Sequence, residues 1–379
     1  MPAPLLYAGL MSGTSMDGVD GVLASFDPAT QRPLHVLAHA HRGFADKLAA
    51  ELLALNTAGP DELHRAALAG NRLMQVYAEV VAELLARATC VPMQVSAVGA
   101  HGQTVRHRPQ AFGGPGYTLQ LANGALLAEL CGITTVCDFR SADLAAGGQG
   151  APLVPAFHAG SFAASGEDVA VLNVGGIANL TLLPADDRAP VRGFDTGPGN
   201  VLLDLWCREK LGCTFDAGGA LAARGTVQPA LLRGLLDEPF FALPPPKSTG
   251  RDLFHAEWLA GRLAKATELA PTDVLATLAE LTVHSVVDAL TTQMPSVRRL
   301  LVCGGGAFNT HLMRRWQALL PAVAVQTTAA AGIAPDQVEA LAFAWLAACR
   351  MNGRPASLPA VTGARGPRVL GAVYAAPAG

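Results

Sequence analysis

The opening of the chain alternates short apolar stretches with Gly, Asp or Pro, at residues 5–10, 18–26 and 34–41. Runs of this length, bounded by turn residues, predict three antiparallel strands. Pro60, Asp61 and Glu62 then open a long helix, with Pro in its first turn and acids at its positive end. Leu63, Ala67, Met74, Tyr77, Val80 and Leu84 fall near one stripe, which predicts one buried face as far as about Arg87. A strand at 95–99, a Gly/Pro-rich loop, a strand at 117–121, a helix near 124–131 and a strand at 134–137 follow.

Beyond Gly147-Gly148-Gln149-Gly150 and a helix near 153–163, the order restarts. Residues 169–174 meet the Gly175-Gly176 turn and continue as 178–183, again strand, Gly turn and strand. Helices at 201–211, 228–236, 256–264 and 272–294, a strand at 299–303, and helices at 309–319 and 335–348 complete the pattern. Two openings of the same kind suggest an internal duplication of an α/β architecture. The halves are placed at 1–150 and 151–379, with the final helix, 335–348, a candidate to pack back on the first. Two such halves naturally place a ligand in the cleft between them.

Length and composition support this division without changing it. A chain of 379 residues exceeds what one core usually organises. With 51% hydrophobic and 15% charged residues it buries large cores and is not a disordered chain. The net charge of -3, without any Lys/Arg run, leaves no electrostatic footprint for nucleic acid. No cationic segment precedes an apolar one at the N-terminus and no run of about 18 apolar residues exists, so neither export nor membrane insertion is expected and the location is taken as cytoplasmic. Seven scattered cysteines without a Cys-x-x-Cys pair suggest neither a zinc ribbon nor a disulfide framework.

Candidate chemistry lies in three Gly-rich turns at strand ends: 11–18, 195–200 and 303–309. Glycines let backbone N–H groups converge on a concavity, and Ser/Thr hydroxyls add donors, as a polyphosphate requires. The last two turns are expected to lead straight into helices, whose N-termini favour anions. No Gly-x-x-x-x-Gly-Lys-Ser/Thr is present, and no Gly-x-Gly-x-x-Gly follows the first strand, so a P-loop or dinucleotide fold is disfavoured. A serine hydrolase acting from Ser15 fails the nucleophile-elbow pattern, because the fifth position of Gly13-Thr14-Ser15-Met16-Asp17 is not Gly.

The Gly-Thr-Ser-x-Asp hairpin turn, the Asp-Thr-Gly turn and the late strand entering Gly304-Gly305-Gly306 resemble motifs of the actin, hexokinase and heat-shock ATPase superfamily. The resemblance then narrows. Gly9-Leu10-Met11-Ser12-Gly13-Thr14-Ser15-Met16-Asp17-Gly18, Ala100-His101-Gly102-Gln103-Thr104-Val105-Arg106-His107, Asp138-Phe139-Arg140 with Asp143, Gly147-Gly148-Gln149-Gly150-Ala151-Pro152-Leu153, Asn173-Val174-Gly175-Gly176-Ile177-Ala178-Asn179, Gly193-Phe194-Asp195-Thr196-Gly197-Pro198-Gly199-Asn200, Lys247-Ser248-Thr249-Gly250-Arg251 and Cys303-Gly304-Gly305-Gly306-Ala307-Phe308-Asn309 are similar, in order, to the signature blocks of the anhydro-N-acetylmuramic acid kinase family.

That resemblance implies two ribonuclease-H-like, actin-like ATPase domains with mixed sheets and a cleft between them. It also implies an ATP- and Mg²⁺-dependent reaction in which water opens the 1,6-anhydro ring of 1,6-anhydro-N-acetylmuramic acid and O6 takes the γ-phosphoryl group. The expected setting is cell-wall sugar recycling by a homodimer, with no nucleic acid or membrane partner. It carries the general base to Asp195; a helix cap or a Mg²⁺ ligand is the alternative, although Asn200 is the better placed N-cap. ATP contacts fall on Gly13, Thr14, Ser15, Met16, Asp17, Gly18, Val19 and Asp20, on Gly197, Gly199 and Asn200, and on Gly304, Gly305 and Gly306, with Asp17 near the metal. Turn chemistry alone is the competing account of Asp17 and Asp20. Sugar contacts fall on His101, Gln103, Thr104, Asp138, Arg140 and Glu339. Arg106, Arg140 and Arg251 are candidates to pair with a carboxylate or phosphate, or only with surface acids.

His39 and His41 alternate on a strand without a third metal-type ligand in the sequence and are assigned to a solvated face. Trp206, Trp258, Trp316 and Trp345 fall in helical patterns and are assigned to the core. A nucleotide-dependent chaperone or filament protein, and a kinase acting on a free sugar hydroxyl, are the alternative functions.

Overall fold

The computed structural model describes residues 4–13, 16–250, 252–264 and 269–377. Its contacts divide the chain into two units, Met1–Ser161 with Gln337–Gly379, and Phe162–Asp336. Residues 151–161 and 337–379 thus group with the first unit rather than with the second half of the sequence. The strands, in chain order, are β1 (Leu5–Met11), β2 (Gly18–Phe26), β3 (Pro33–Gly43), β4 (Val95–Ala100), β5 (Gln103–Pro109), β6 (Gly116–Leu121), β7 (Thr135–Cys137), β8 (Val169–Val174), β9 (Ile177–Leu183), β10 (Arg192–Pro198), β11 (Arg299–Cys303), β12 (Ala324–Thr327) and β13 (Ala372–Tyr374).

The first unit's main sheet has the order β13-β7-β4-β1-β2-β3, and the second unit's has β10-β9-β8-β11-β12. In each, the first strand pairs antiparallel with the second, which pairs antiparallel with the third. On its other side the first strand runs parallel to a fourth, which runs parallel to a fifth. Identical order and sense in two sheets is the ribonuclease-H-like arrangement made twice, and it gives the repeated strand-Gly-strand pattern its structural meaning. The first unit adds β13 at one edge and a separate hairpin, β5 with β6.

The first unit's core is fixed by two helices. Glu62–Ala88 buries Ala69, Leu73, Met74, Tyr77, Val80, Val81 and Leu84, at the spacing of one helical face. Pro60 lies ahead of it rather than in its first turn, and Asp61 makes no side-chain cap. Val338–Met351 packs its backbone on the paired glycines of β1 and β4. A Cβ on Gly9 would stand 2.0 Å from the Ala340 carbonyl oxygen, and one on Gly99 would stand 2.1 Å from that of Phe343. Gly9 and Gly99 are register partners, so together they make a channel for this Ala-rich helix.

In the second unit β8 is wholly buried, and Pro271–Gln293 is its central helix. That helix is long and apolar enough to cross a membrane by length and composition, but 78% of its apolar window is buried inside the fold. Elements that the pattern did not predict include Asp46–Ala54, the short helices Ser141–Ala145, Pro239–Ala242 and Pro359–Thr362, and the strands β5, β10, β12 and β13. The helix expected at 201–211 is α-helical only over Val201–Trp206 and widens to a π turn, Cys207–Leu211, before Gly212 ends it in a left-handed conformation.

Candidate active site

In the first unit, β1 and β4 run parallel and end together, so the residues just beyond them meet at the carboxyl edge of the sheet, where α/β sheets hold ligands. A cavity of about 230 Å³ opens there, walled by Met11, Ser12 and Gly13 after β1, by His101, Gln103, Thr104 and His107, and by Arg140 and Ala151. His101, Gln103, Thr104, Arg140 and Gly13 are thereby brought together. Met11, Ser12, His107 and Ala151 carried no individual assignment in the sequence. Ser12 is the one a sequence signal could have marked, as a small polar residue at the end of an apolar strand.

The cavity wall is tightly wired. Ser12 Oγ donates to the Gly102 carbonyl at 3.0 Å and lies 2.9 Å from the Tyr77 hydroxyl. His101 Nε2 lies 2.9 Å from Arg140 Nη2, which can only donate, so Nε2 accepts and the ring proton sits on Nδ1, 3.3 Å from the Ser12 carbonyl. Burial, reinforced by the Arg140 charge, pushes His101 down to about 3, so it is a neutral imidazole. Arg140 donates through Nη1 to the Gly150 carbonyl at 2.8 Å. Burial lowers it to about 10, against the opposing charge of Glu339, and it stays cationic at neutral pH.

Two polar atoms of this wall are buried without a hydrogen-bond partner, Gln103 Oε1 and Arg140 Nε. Gln103 Nε2 is occupied by the Gly13 carbonyl at 3.0 Å. Orphaned buried polar groups are costly in a folded protein and rare, so an acceptor and a donor orphaned at one cavity suit a ligand rich in hydroxyl or amide groups.

The other proposed sugar contacts are placed differently. Glu339 is half-buried and acts on Arg140 by its charge, outside the cavity wall. Asp138 is exposed, and its Oδ1 accepts from the Ser141 hydroxyl at 2.6 Å and the Ser141 amide at 3.3 Å, closing a turn. Asp143 is buried and structural: it accepts from the Gly150 amide at 2.8 Å and the Thr362 hydroxyl at 2.9 Å. Arg106 is drawn away from the cavity by Glu62, at 2.6 Å, and by the Leu55 carbonyl.

Of the first loop, Thr14 and Ser15 lie outside the described residues, as does Arg251. Met16 is buried among Leu48, Leu52, Leu55, Ala69 and Val105, an apolar anchor for the loop. Val19 is in the core, and Gly18 is pressed on the β3 backbone, where a Cβ would stand 2.4 Å from the Arg42 carbonyl oxygen. Asp17 is exposed at the loop's end. Asp20 faces β3, where His41 Nδ1 lies 2.9 Å and His39 Nε2 3.6 Å from its Oδ1. Burial pushes the Asp20 carboxyl up, but hydrogen bonds and charge from these histidines outweigh it and hold the group below its ordinary value. His41 is exposed and His39 half-buried, in keeping with a solvated face, and both are partners of an acid there.

In the second unit the Gly turns 195–200 and 303–309 converge on Val174, at the end of β8 and next to the Gly175-Gly176 turn. Asn200 Nδ2 donates to the Val174 carbonyl at 3.2 Å, and a Cβ on Gly306 would stand 2.3 Å from Val174 Cγ1. Gly304 has φ +77, and its Cβ would meet Asn173 Oδ1 at 2.5 Å, so only glycine fits there. The turns differ from the simple expectation of converging free amides. Gly199 N–H donates to the Gly176 carbonyl and Asn200 N–H to that of Gly175, each at 2.9 Å, while Gly304 N–H donates to Pro335 at 3.0 Å. Gly197 stands with φ +150 against Phe241. Gly305 and Gly306 open a short 3-10 turn, Gly305–Phe308, which separates β11 from the helix Thr310–Leu319. Their amides are leading N–H groups that such a turn leaves without internal partners.

Asn200 makes no side-chain cap, so the N-cap expectation is corrected; Asn309, bonded at 3.1 Å to the Leu312 amide, is a cap instead. Asp195 also caps no helix. It lies on β10, half-buried, and its Oδ2 accepts from the Thr249 amide at 3.0 Å while its own amide donates to the Lys247 carbonyl at 3.1 Å. Burial pushes its carboxyl up to about 6, against the Thr249 hydrogen bond and the Lys247 charge. A carboxylate tuned toward neutrality is suited to accept a proton from water. Lys247 and Thr249 belong to a block noted in the sequence, but nothing there joined them to Asp195.

Trp206 and Trp316 are buried as expected, while Trp258 and Trp345 are half-buried, held by Glu238 and by the Phe157 ring.

Residues 5–376 match the model of a family described as anhydro-N-acetylmuramic acid kinase. Curated relatives carrying that name include one from Albidiferax ferrireducens, 54% identical over 98% of this chain and 99% of its own length. One from Variovorax paradoxus is 56% identical over 98% and 99%, and one from Bordetella petrii is 58% identical over 98% and 96%. With the match spanning nearly every element described above, this chain belongs to the anhydro-N-acetylmuramic acid kinase family.

Proposed function

We propose that this chain uses ATP to phosphorylate O6 of 1,6-anhydro-N-acetylmuramic acid while water opens the anhydro bridge, giving N-acetylmuramic acid 6-phosphate and ADP. The observation that carries this reading is the Asp195 carboxyl, immobilised at 3.0 Å by the Thr249 amide and raised by burial to about 6. At neutral pH it is ionised yet basic enough to accept a proton from the attacking water. The cavity wall of His101, Gln103, Thr104 and Arg140 is assigned to the sugar. Neutral His101 and the orphaned Gln103 Oε1 suit hydroxyl and amide groups, and cationic Arg140 suits the lactyl carboxylate.

ATP is assigned to the Gly turns, with Gly305 and Gly306 presenting amides and Gly197 and Gly199 allowing close backbone approach. Magnesium needs no dedicated cage, being held by one or two carboxylates together with phosphate oxygens and water. Asp17, exposed ahead of β2, is the carboxylate assigned to it. The ion supplies neutralisation of phosphate charge. Location in the cytoplasm and a role in cell-wall sugar recycling follow as parts of the same reading.

Turnover in ¹⁸O water tests the coupled reaction. Label is expected at the anomeric oxygen of a 6-phosphorylated product, and an unlabelled phosphosugar overturns it. Asp195→Asn is expected to reduce kcat by at least about 10²-fold while ATP still binds. Loss of ATP affinity in that variant would move Asp195 to a metal-binding or structural role.

A further inference from the structure

Asp195 is gripped at two points by one short segment that lies 52–54 residues later in the chain. Its amide donates to Lys247 and its Oδ2 accepts from Thr249, so both main chain and carboxylate are tied to the same stretch of backbone. That stretch is moored in turn by the Lys247 side chain. Nζ donates to the carbonyls of Phe240 and Phe241, at 3.1 Å each, and lies 4.6 Å from the Phe240 ring centre. An ammonium with two carbonyl acceptors and an aromatic face is a fixed charge, unlike a surface lysine sweeping through solvent. The Thr249 hydroxyl is buried without a hydrogen-bond partner, which places an unsatisfied polar atom on the residue that holds the carboxylate.

We propose that Lys247 and Thr249 are positioning residues for the reaction: the Lys247 ammonium locks residues 247–249 in place, and the Thr249 amide orients the Asp195 carboxylate. The proposal rests on the reading of Asp195 as general base. Among the described residues, Lys247 is the group whose charge favours the ionised form of Asp195. Burial opposes ionisation of Asp195 and the ammonium favours it, so removal of the ammonium drives the carboxyl further up.

Carbon-13 carboxyl titration, with the Asp195 signal identified by its loss in Asp195→Asn, tests this beside the pH profile of kcat/KM. In Lys247→Met and Lys247→Gln both the carboxyl titration and the acidic limb of the profile are expected to rise by about half a pH unit or more, with Lys247→Arg restoring most of the difference. An Asp195 signal that stays in place in the neutral variants overturns the proposal, whatever happens to their thermal stability. Collapse of both neutral variants would also overturn it, since Lys247 would then be a prop of the fold. A carboxyl that shifts as expected while Asp195→Asn retains full turnover would instead reject the general-base reading and leave the clamp standing.

Discussion

At the scale of single residues, Asp195 shows how a site can cost the fold stability. Its carboxyl is raised to about 6, above the ordinary value near 3.9. Protonated Asp195 therefore suits the fold better than ionised Asp195. This contribution is complete below about pH 4 and is lost as pH rises through about 6. Asp195→Asn, which has no proton to lose, is expected to melt higher than the natural protein at pH 7 to 8, by at most about 3 kcal/mol. The difference should close as pH falls to about 4, and parallel pH dependences of the two melting midpoints would refute it. Residue identity was legible in the sequence for this group, and also for His101, Gln103, Thr104 and Arg140, which line one cavity. What residue type could not convey was pairing. Arg106 and Arg140 look alike in sequence, yet one is committed to Glu62 and the other reaches His101. Asp138 closes a local turn, and Asp143 ties the Gly150 amide to the distant Thr362 hydroxyl, because short carboxylates near amides and hydroxyls bond to them first.

At the scale of elements, the helix Val338–Met351 and the glycines of β1 and β4 form one packing unit. A side chain at Gly9 or Gly99 would stand about 2 Å from helix backbone, which has no flexible end to give way. Gly9→Val and Gly99→Val are each expected to destabilise the first unit by about 3 kcal/mol or more, while Gly113→Val, at a hairpin tip with open space around it, serves as a control for the added side chain. Because Gly113 itself has φ +75, that control carries only backbone strain of about 1–2 kcal/mol. Chemical denaturation reads the comparison, and equal losses at all three positions would refute the channel. Apolar strands bounded by turn residues, such as the almost wholly buried β2, and long striped helices, such as Glu62–Ala88, were legible because an apolar run and a helical stripe can both be read from residue order. β10 was not, since Gly193, Gly197 and Pro198 make a buried strand resemble a turn. Short edge strands β12 and β13 carry too few residues to show a period.

At the scale of the whole molecule, the chain builds one sheet topology twice but supplies the two units differently. Phe162–Asp336 is continuous, whereas the first unit is completed by Gln337–Gly379. A fragment of residues 162–336 is expected to unfold cooperatively when expressed alone, and a fragment of 1–161 is not. The latter lacks the helix that covers Gly9 and Gly99 and the strand β13 that pairs with β7. Circular-dichroism melts distinguish these outcomes; a cooperative transition for 1–161 would show that the returning segment is dispensable. The sequence by itself determined the α/β class, the duplicated opening and the membership carried by its ordered motifs, since these depend on local periodicity and on residue types at fixed spacing. Only the tertiary structure decided that Lys247 and Thr249 hold Asp195, that His39 and His41 flank Asp20, and that the amides of Gly199 and Asn200 tie one turn to another. Those are hydrogen bonds and ion pairs between separate segments of the chain, and their partners are selected by where the sheets bring strands and strand ends together.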